Sequence, residues 1–307
     1  MINTIMSMLK LRNFEKFSLT YRIALMRLKN GLMRFLSLLL LVVITFQANC
    51  LISSAQVDHQ YDDYGTACFA IDSSSGKVVA MQNPDLRLPL ASLTKLMTAQ
   101  VLLELPINWN RRLILTEGQI DYVKPFIEAG DVTSSIDLRA GDKVTMRDLW
   151  NALLIASSNE AAVALVDNSG LSREQFTLRM NEKASEFGLK DTHFTEFSGI
   201  DPRNVGTASE MAVIARKAFE NKSIRIVSAR EIFKFREKIS GRVVAIQSRN
   251  SALLNMKPYG FKVGYLTEAR HNLAMRIVEG RKDRVMVVMH APSSAQRNAE
   301  IRKLWEL

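Results

Sequence analysis

Apolar positions recur with two different periods along this 307-residue chain, and the periods occupy separate stretches. Residues 66–71 and 77–81 alternate as strands do, and the polar run Asp72-Ser73-Ser74-Ser75-Gly76 between them reads as a hairpin turn. A proline-bounded loop then opens a helix in which Leu93, Leu96, Met97, Val101 and Leu105 mark one apolar side. A mixed region follows to Asp142, with turn signals at Glu117-Gly118 and Ala140-Gly141-Asp142, and suits a subdomain inserted after that helix. Helix starts come next. Thr145 with Asp148 and Ser172 with Gln175 have capping-box spacing, and Thr207 with Glu210 begins another run. From Ile224 the pattern turns to short β-rich pieces at 242–247, 261–265, 273–278 and 284–289, and a last helix runs from about 294 to 307. Strands at both ends with helices between predict an α+β fold: an antiparallel β-sheet flanked by helices, with a helical subdomain beside it.

Composition changes the picture mainly at the amino terminus. The formal charge is +10, but seven of the 41 basic residues lie in the first 55 positions beside a single acid, Glu15. An apolar run from Phe35 to Phe46 follows, and then the small-residue site Ser53-Ser54-Ala55. A basic lead, about a dozen apolar residues and such a site form a secretory signal, with cleavage expected before Gln56. The run is short for a membrane span, and an uncleaved anchor giving membrane association is the alternative reading. Residues 1–55 are thus a basic lead and signal peptide, and 56–307 the mature domain, extracytoplasmic or periplasmic. What remains is only mildly cationic, which suits an anionic wall polymer and gives no reason to expect nucleic acid. Cleavage leaves Cys68 as the sole cysteine, expected as a buried strand thiol.

The candidate chemistry begins in Pro89-Leu90-Ala91-Ser92-Leu93-Thr94-Lys95, where a serine and a lysine three residues apart share a helix face. The same spacing recurs at Ser7/Lys10 and Ser74/Lys77, so the tetrapeptide alone is compatible with an ordinary N-cap and a solvated lysine. Two further elements follow in order: Ser157-Ser158-Asn159 at a junction of helical runs, and Lys262-Val263-Gly264-Tyr265 entering an apolar strand. None of His59, His193, His271 or His290 stands in a ligand-spaced pair, and neither a metal nor another cofactor is expected.

Ser-x-x-Lys, Ser-x-Asn and Lys-x-Gly in this order resemble the serine DD-peptidases, the low-molecular-mass penicillin-binding proteins of peptidase family S11. Thr192-His193-Phe194, Ser198-Gly199-Ile200 and Asn204-Val205-Gly206-Thr207-Ala208 resemble the family too, and the wording around Ser92 is most similar to the D-alanyl-D-alanine endopeptidase/carboxypeptidase branch. The resemblance implies a penicillin-binding-protein/β-lactamase-like fold and cleavage of D-Ala-containing peptidoglycan stem peptides, with β-lactams as covalent ligands. It makes Ser92 the nucleophile, Lys95 the base, Ser157 a proton relay and Asn159 a substrate partner. It also makes Lys262 the neighbouring cation and the backbone N–H groups of Ser92 and Tyr265 the oxyanion donors. The third element departs from the family's Lys-Thr-Gly-x-Thr at Val263 and Leu266, and a usual glycine is Arg270. The lost hydroxyls predict weaker recognition of a substrate carboxylate. A catalytically attenuated wall-binding or regulatory protein on the same fold is the competing reading. No additional carboxylate motif for deacylating water supports a β-lactamase.

Overall fold

A computed structural model describes residues 65–126 and 136–307. The chain opens on β1 (Ala67–Asp72) and β2 (Val78–Gln82), and the turn between them is tied by Asp72, whose Oδ1 accepts from the Ser74 and Ser75 hydroxyls and the Ser75 N–H. A two-residue strand β3 (Leu88–Pro89) leads into a 3-10 turn (Ala91–Leu93) and α1 (Thr94–Glu104). Next come β4 (Arg112–Ile114), α2 (Glu117–Ile120), β5 (Lys143–Thr145) and α3 (Met146–Asn151). A π-helical turn (Ala152–Ala156) joins α3 to α4 (Asn159–Asp167), and α5 (Arg173–Glu186) follows. The chain continues with β6 (Val205–Gly206), α6 (Ala208–Glu220) and α7 (Lys222–Ser228). It ends with β7 (Ile232–Arg236), β8 (Val243–Gln247), β9 (Gly260–Leu266), β10 (Arg270–Glu279), β11 (Lys282–Ala291) and α8 (Ser294–Glu306).

Five strands form one antiparallel sheet in the order β2-β1-β11-β10-β9, so the first and last parts of the domain pair at its centre. Side chains alternate between its faces. Ala67, Ala274, Val285, Val287 and Met289 join the larger core with the helices, whereas Cys68, Ala70, Leu273, Met275, Met286 and Val288 pack with Ile301 and Leu304 of α8. A sheet covered on both faces explains the almost continuous apolar run in β11. Cys68 is the buried strand thiol expected, pushed up to about 11 mainly by desolvation.

Both capping boxes form: the Thr145 and Ser172 hydroxyls accept the Asp148 and Gln175 N–H groups, and the Asp148 and Gln175 side chains accept in return. Such a cap contributes about 1 kcal/mol. Thr207 caps α6, while the Glu210 carboxylate turns to the Lys190 and Asp191 N–H groups and the Thr192 hydroxyl.

Two expectations are corrected. Ile224 does not begin a β-rich region but lies in α7, which Asn221 starts by accepting the Ser223 N–H; Ile224 and Val227 bury one face of that short helix. β-branched residues misled here because packing outweighs their propensity. Nor is α1 one-sided, for Thr94, Lys95, Thr98, Ala99 and Gln100 are buried alongside its apolar residues. The leader calls on residues 1–55 lie outside the described residues, among which no helix is long and apolar enough to cross a membrane.

Candidate active site

The turn before α1 is held from several sides. β3 pairs with β6, the Leu90 N–H donates to the Asn204 carbonyl at 2.8 Å, and Ala91 takes a left-handed φ of 49°. Gly199 closes over this turn: with φ +79°, a Cβ there would lie 2.0 Å from the Ala91 carbonyl oxygen. Ser92 sits within the 3-10 turn, and α1 has no side-chain cap. The capping reading of Ser92 therefore fails, and so does the solvated reading of Lys95, which is 0% exposed.

Lys95 Nζ lies 2.9 Å from Ser92 Oγ, 2.6 Å from Asn159 Oδ1 and 2.5 Å from the Ser198 carbonyl oxygen. Desolvation pushes its pKa down to about 8, against the opposing pull of Glu196 and Glu160. All three partners can accept, so they satisfy the protonated amine with three N–H bonds. When one proton leaves, the two carbonyl oxygens, which can only accept, keep the two remaining N–H bonds and the lone pair faces the Ser92 hydroxyl.

Ser157 and Asn159 come from the break between α3 and α4. The π turn ends at Ser157, which adopts a left-handed φ of 63°, and Ser158 caps α4 by accepting the Ala161 N–H. A π turn followed by a left-handed non-glycine residue is locally costly and recurs at functional sites. It sets Ser157 towards β9. Lys262 Nζ donates to Ser157 Oγ at 2.6 Å and to the Val263 carbonyl at 2.9 Å. Burial, with the charges of Lys95 and Arg249, holds Lys262 well below the ordinary lysine range. Arg249 adds a bond to the Ala156 carbonyl at 3.2 Å.

β9 is an edge strand of the sheet, and Gly264 lets it approach the turn that carries Ser92. A Cβ at Gly264 would stand 3.0 Å from the Ser92 nitrogen, 3.1 Å from Ala91 Cβ and 3.2 Å from the Leu90 carbonyl oxygen. The Tyr265 backbone is therefore next to Ser92, while its exposed ring rests on His271 at a centroid distance of 4.7 Å. Val263 is different: it offers its carbonyl to Lys262, but its side chain is partly buried against the cluster of Phe261, Leu273 and Met275. Arg270 has φ 52° and pairs with Leu266 across a three-residue hairpin loop. This is the left-handed position that glycine suits, and an L-residue there costs about 1–2 kcal/mol.

Sequence reasoning missed three contributors. Ser198 acts through its backbone carbonyl, and Glu196 shapes that loop by accepting the N–H groups of Ser198, Gly199 and Ile200. Arg297 is 5% exposed; among the described residues its guanidinium bonds only the Asn298 side-chain oxygen, through Nε and Nη2, and makes no ion pair. Desolvation lowers its pKa to about 10, and its charge adds to burial in depressing His271.

A family profile described as D-alanyl-D-alanine carboxypeptidase matches residues 54–293. The D-alanyl-D-alanine carboxypeptidase DacD of Escherichia coli is 32% identical over 245 residues, covering 76% of this chain and 60% of DacD. The D-alanyl-D-alanine endopeptidase of Pseudomonas aeruginosa is 31% identical over 227 residues, 72% of this chain and 69% of the relative. DacF of Bacillus subtilis is 29% identical, and the chain spans 59% of its length. The crystal structure of the Streptomyces K15 DD-transpeptidase superposes with a TM-score of 0.70 at 27% identity, covering 78% of this chain and 94% of that one. The α+β fold is thus of the penicillin-binding type, and the chain belongs to the D-alanyl-D-alanine carboxypeptidase family of serine peptidases.

Proposed function

We propose that the chain is an exported serine DD-peptidase that cleaves D-Ala-containing peptide bonds of peptidoglycan through an acyl-enzyme on Ser92. The observation that carries this reading is the enclosed lysine: Lys95, with its pKa near 8, has Nζ 2.9 Å from Ser92 Oγ. Ser92 Oγ attacks the carbonyl carbon as its proton passes to Lys95 Nζ. The oxyanion forms against the Ser92 and Tyr265 N–H groups, where the close approach at Gly264 supports a two-donor hole. The C–N bond then breaks as the proton held by Lys95 returns through the Ser157 hydroxyl, to which Lys262 donates, to the leaving amine, leaving Lys95 neutral. Water then attacks the ester, its proton passing to Lys95 and from there to Ser92 Oγ, so that both groups are restored.

Asn159 gives its oxygen to Lys95, which leaves its N–H donors for the substrate peptide. Arg297, a buried cation with only a neutral partner, is the group suited to a substrate carboxylate. Cleavage of cross-links is the first expectation over removal of a terminal D-Ala, supported by the named endopeptidase relative; both reactions share the acyl-enzyme. β-Lactams are expected as covalent ligands of Ser92.

Labelling with a fluorescent penicillin tests the reading against that of an attenuated wall-binding protein. Covalent label on the wild type, absent in Ser92→Ala, is the outcome expected; an unlabelled folded wild type favours the binding role. Digestion of defined cross-linked and uncross-linked muropeptides then separates endopeptidase from carboxypeptidase.

A further inference from the structure

Asn272, the third residue of β10, lies opposite Gly264 and is fully buried. Its Nδ2 donates to the Pro89 carbonyl at 2.9 Å and the Leu90 carbonyl at 3.1 Å, and its Oδ1 accepts the His290 N–H at 2.8 Å. All three partners are backbone atoms at irregular points. Pro89 and Leu90 immediately precede Ala91, the left-handed residue that turns the chain into Ser92. His290 has φ 59° and sits where the β10–β11 register slips between the pairs His271↔Ala291 and Leu273↔Val288. A short primary amide supplies two donors and an acceptor in one plane, which a hydroxyl or an aliphatic group does not.

Cross-strand partners face the same side of a sheet, so Asn272 and the Gly264 Cα present the same face to the turn. That face meets the Ser92 nitrogen and the Leu90 carbonyl at Gly264, and the Pro89 and Leu90 carbonyls at Asn272. One side chain thus joins the β11 bulge, the strand beside β9 and the turn that carries the nucleophile. We propose that Asn272 is a positioning residue for acyl transfer: by holding Pro89 and Leu90 onto the sheet, it sets the spacing between the Ser92 N–H and the β9 edge at Tyr265. The proposal rests on Ser92 being the nucleophile and on those two N–H groups receiving the oxyanion. It adds a residue that touches neither substrate nor reacting atom. An asparagine that merely fills the core would affect stability; one that sets this spacing affects the chemical step at unchanged binding.

The test uses the full chain with Asn272→Leu, which keeps the branched shape and removes the amide, and Asn272→Ser, which keeps one donor on a shorter arm. Acylation by a fluorescent penicillin is followed over concentration, to separate the saturating rate constant from the half-saturating concentration. Hydrogen exchange is followed over residues 89–94. The expected result is a saturating rate constant lowered about 10- to 100-fold in Asn272→Leu, a smaller loss in Asn272→Ser, half-saturation within about threefold, and faster exchange at the turn. A folded variant acylated within about twofold of wild type, or a loss confined to half-saturation, overturns the proposal. If the wild type itself forms no adduct, the DD-peptidase reading fails instead, and unchanged exchange at the turn in Asn272→Ser overturns the holding role independently.

Discussion

A lysine enclosed on every side holds its proton less firmly than one in water, and Lys95 combines that enclosure with two carbonyl acceptors and one hydroxyl. The sign of the pH dependence follows. Acylation needs the neutral amine, so its rate should climb as pH rises through about 8 and level off above it. Lys95→Arg keeps the charge but stays protonated, and should lower the rate about 100-fold or more while circular dichroism is unchanged. Near-normal acylation in that variant would reduce Lys95 to an electrostatic group. Val263 carries a different expectation from the one its lost hydroxyl suggests. Its side chain packs with Phe261 and Leu273, so Val263→Thr should change peptide-substrate kcat/KM by less than about threefold. A gain of tenfold or more would place carboxylate recognition there. Ser92, Lys95, Ser157, Asn159, Lys262 and Gly264 were legible because each motif needs a particular side chain. Ser198, Asn272 and Arg297 were not: Ser198 contributes a backbone atom, Asn272 bonds residues more than 180 positions away, and Arg297 looks like any helix cation until its burial is seen.

At the scale of elements, the contact between β9 and the Ser92 turn sets how closely the Ser92 and Tyr265 backbones stand, the two N–H groups proposed to receive the oxyanion. Gly264→Ala would press a methyl group against the Ser92 nitrogen and Ala91 Cβ, both parts of a turn with little freedom to give. It should lower acylation about tenfold or more, with the melting midpoint shifted by only a few degrees. An unchanged rate would show that β9 can retreat without cost. The strands from 260 to 291 and the caps of α3, α5 and α6 were readable from β-rich apolar runs and box spacing. The π turn at 152–156 was not, because a left-handed serine after a run of Ala, Leu and Ile has no signature in composition. β3 and β6 also escaped: each has only two residues, and their pairing joins segments more than a hundred positions apart.

Taken whole, the domain pairs its first and last strands at the centre of one sheet, and the three motif segments meet through long-range contacts that sequence order alone does not show. Fold class followed from strands at both ends with helices between. That Lys95 meets Asn159 and Lys262 meets Ser157 required the tertiary structure, because each pair joins separate elements. Export is argued at this scale too: amino-terminal sequencing of secreted material should begin near Gln56, and native accumulation of the full-length chain in the cytoplasm would refute the signal-peptide reading. The most direct measurement of the central claim is intact-mass analysis after penicillin treatment, followed by peptide mapping. A working Lys95–Ser92 pair predicts one covalent adduct per chain on the peptide containing Ser92, absent in Ser92→Ala. An adduct that persists in Ser92→Ala, or a folded wild type that gains no mass, would contradict it.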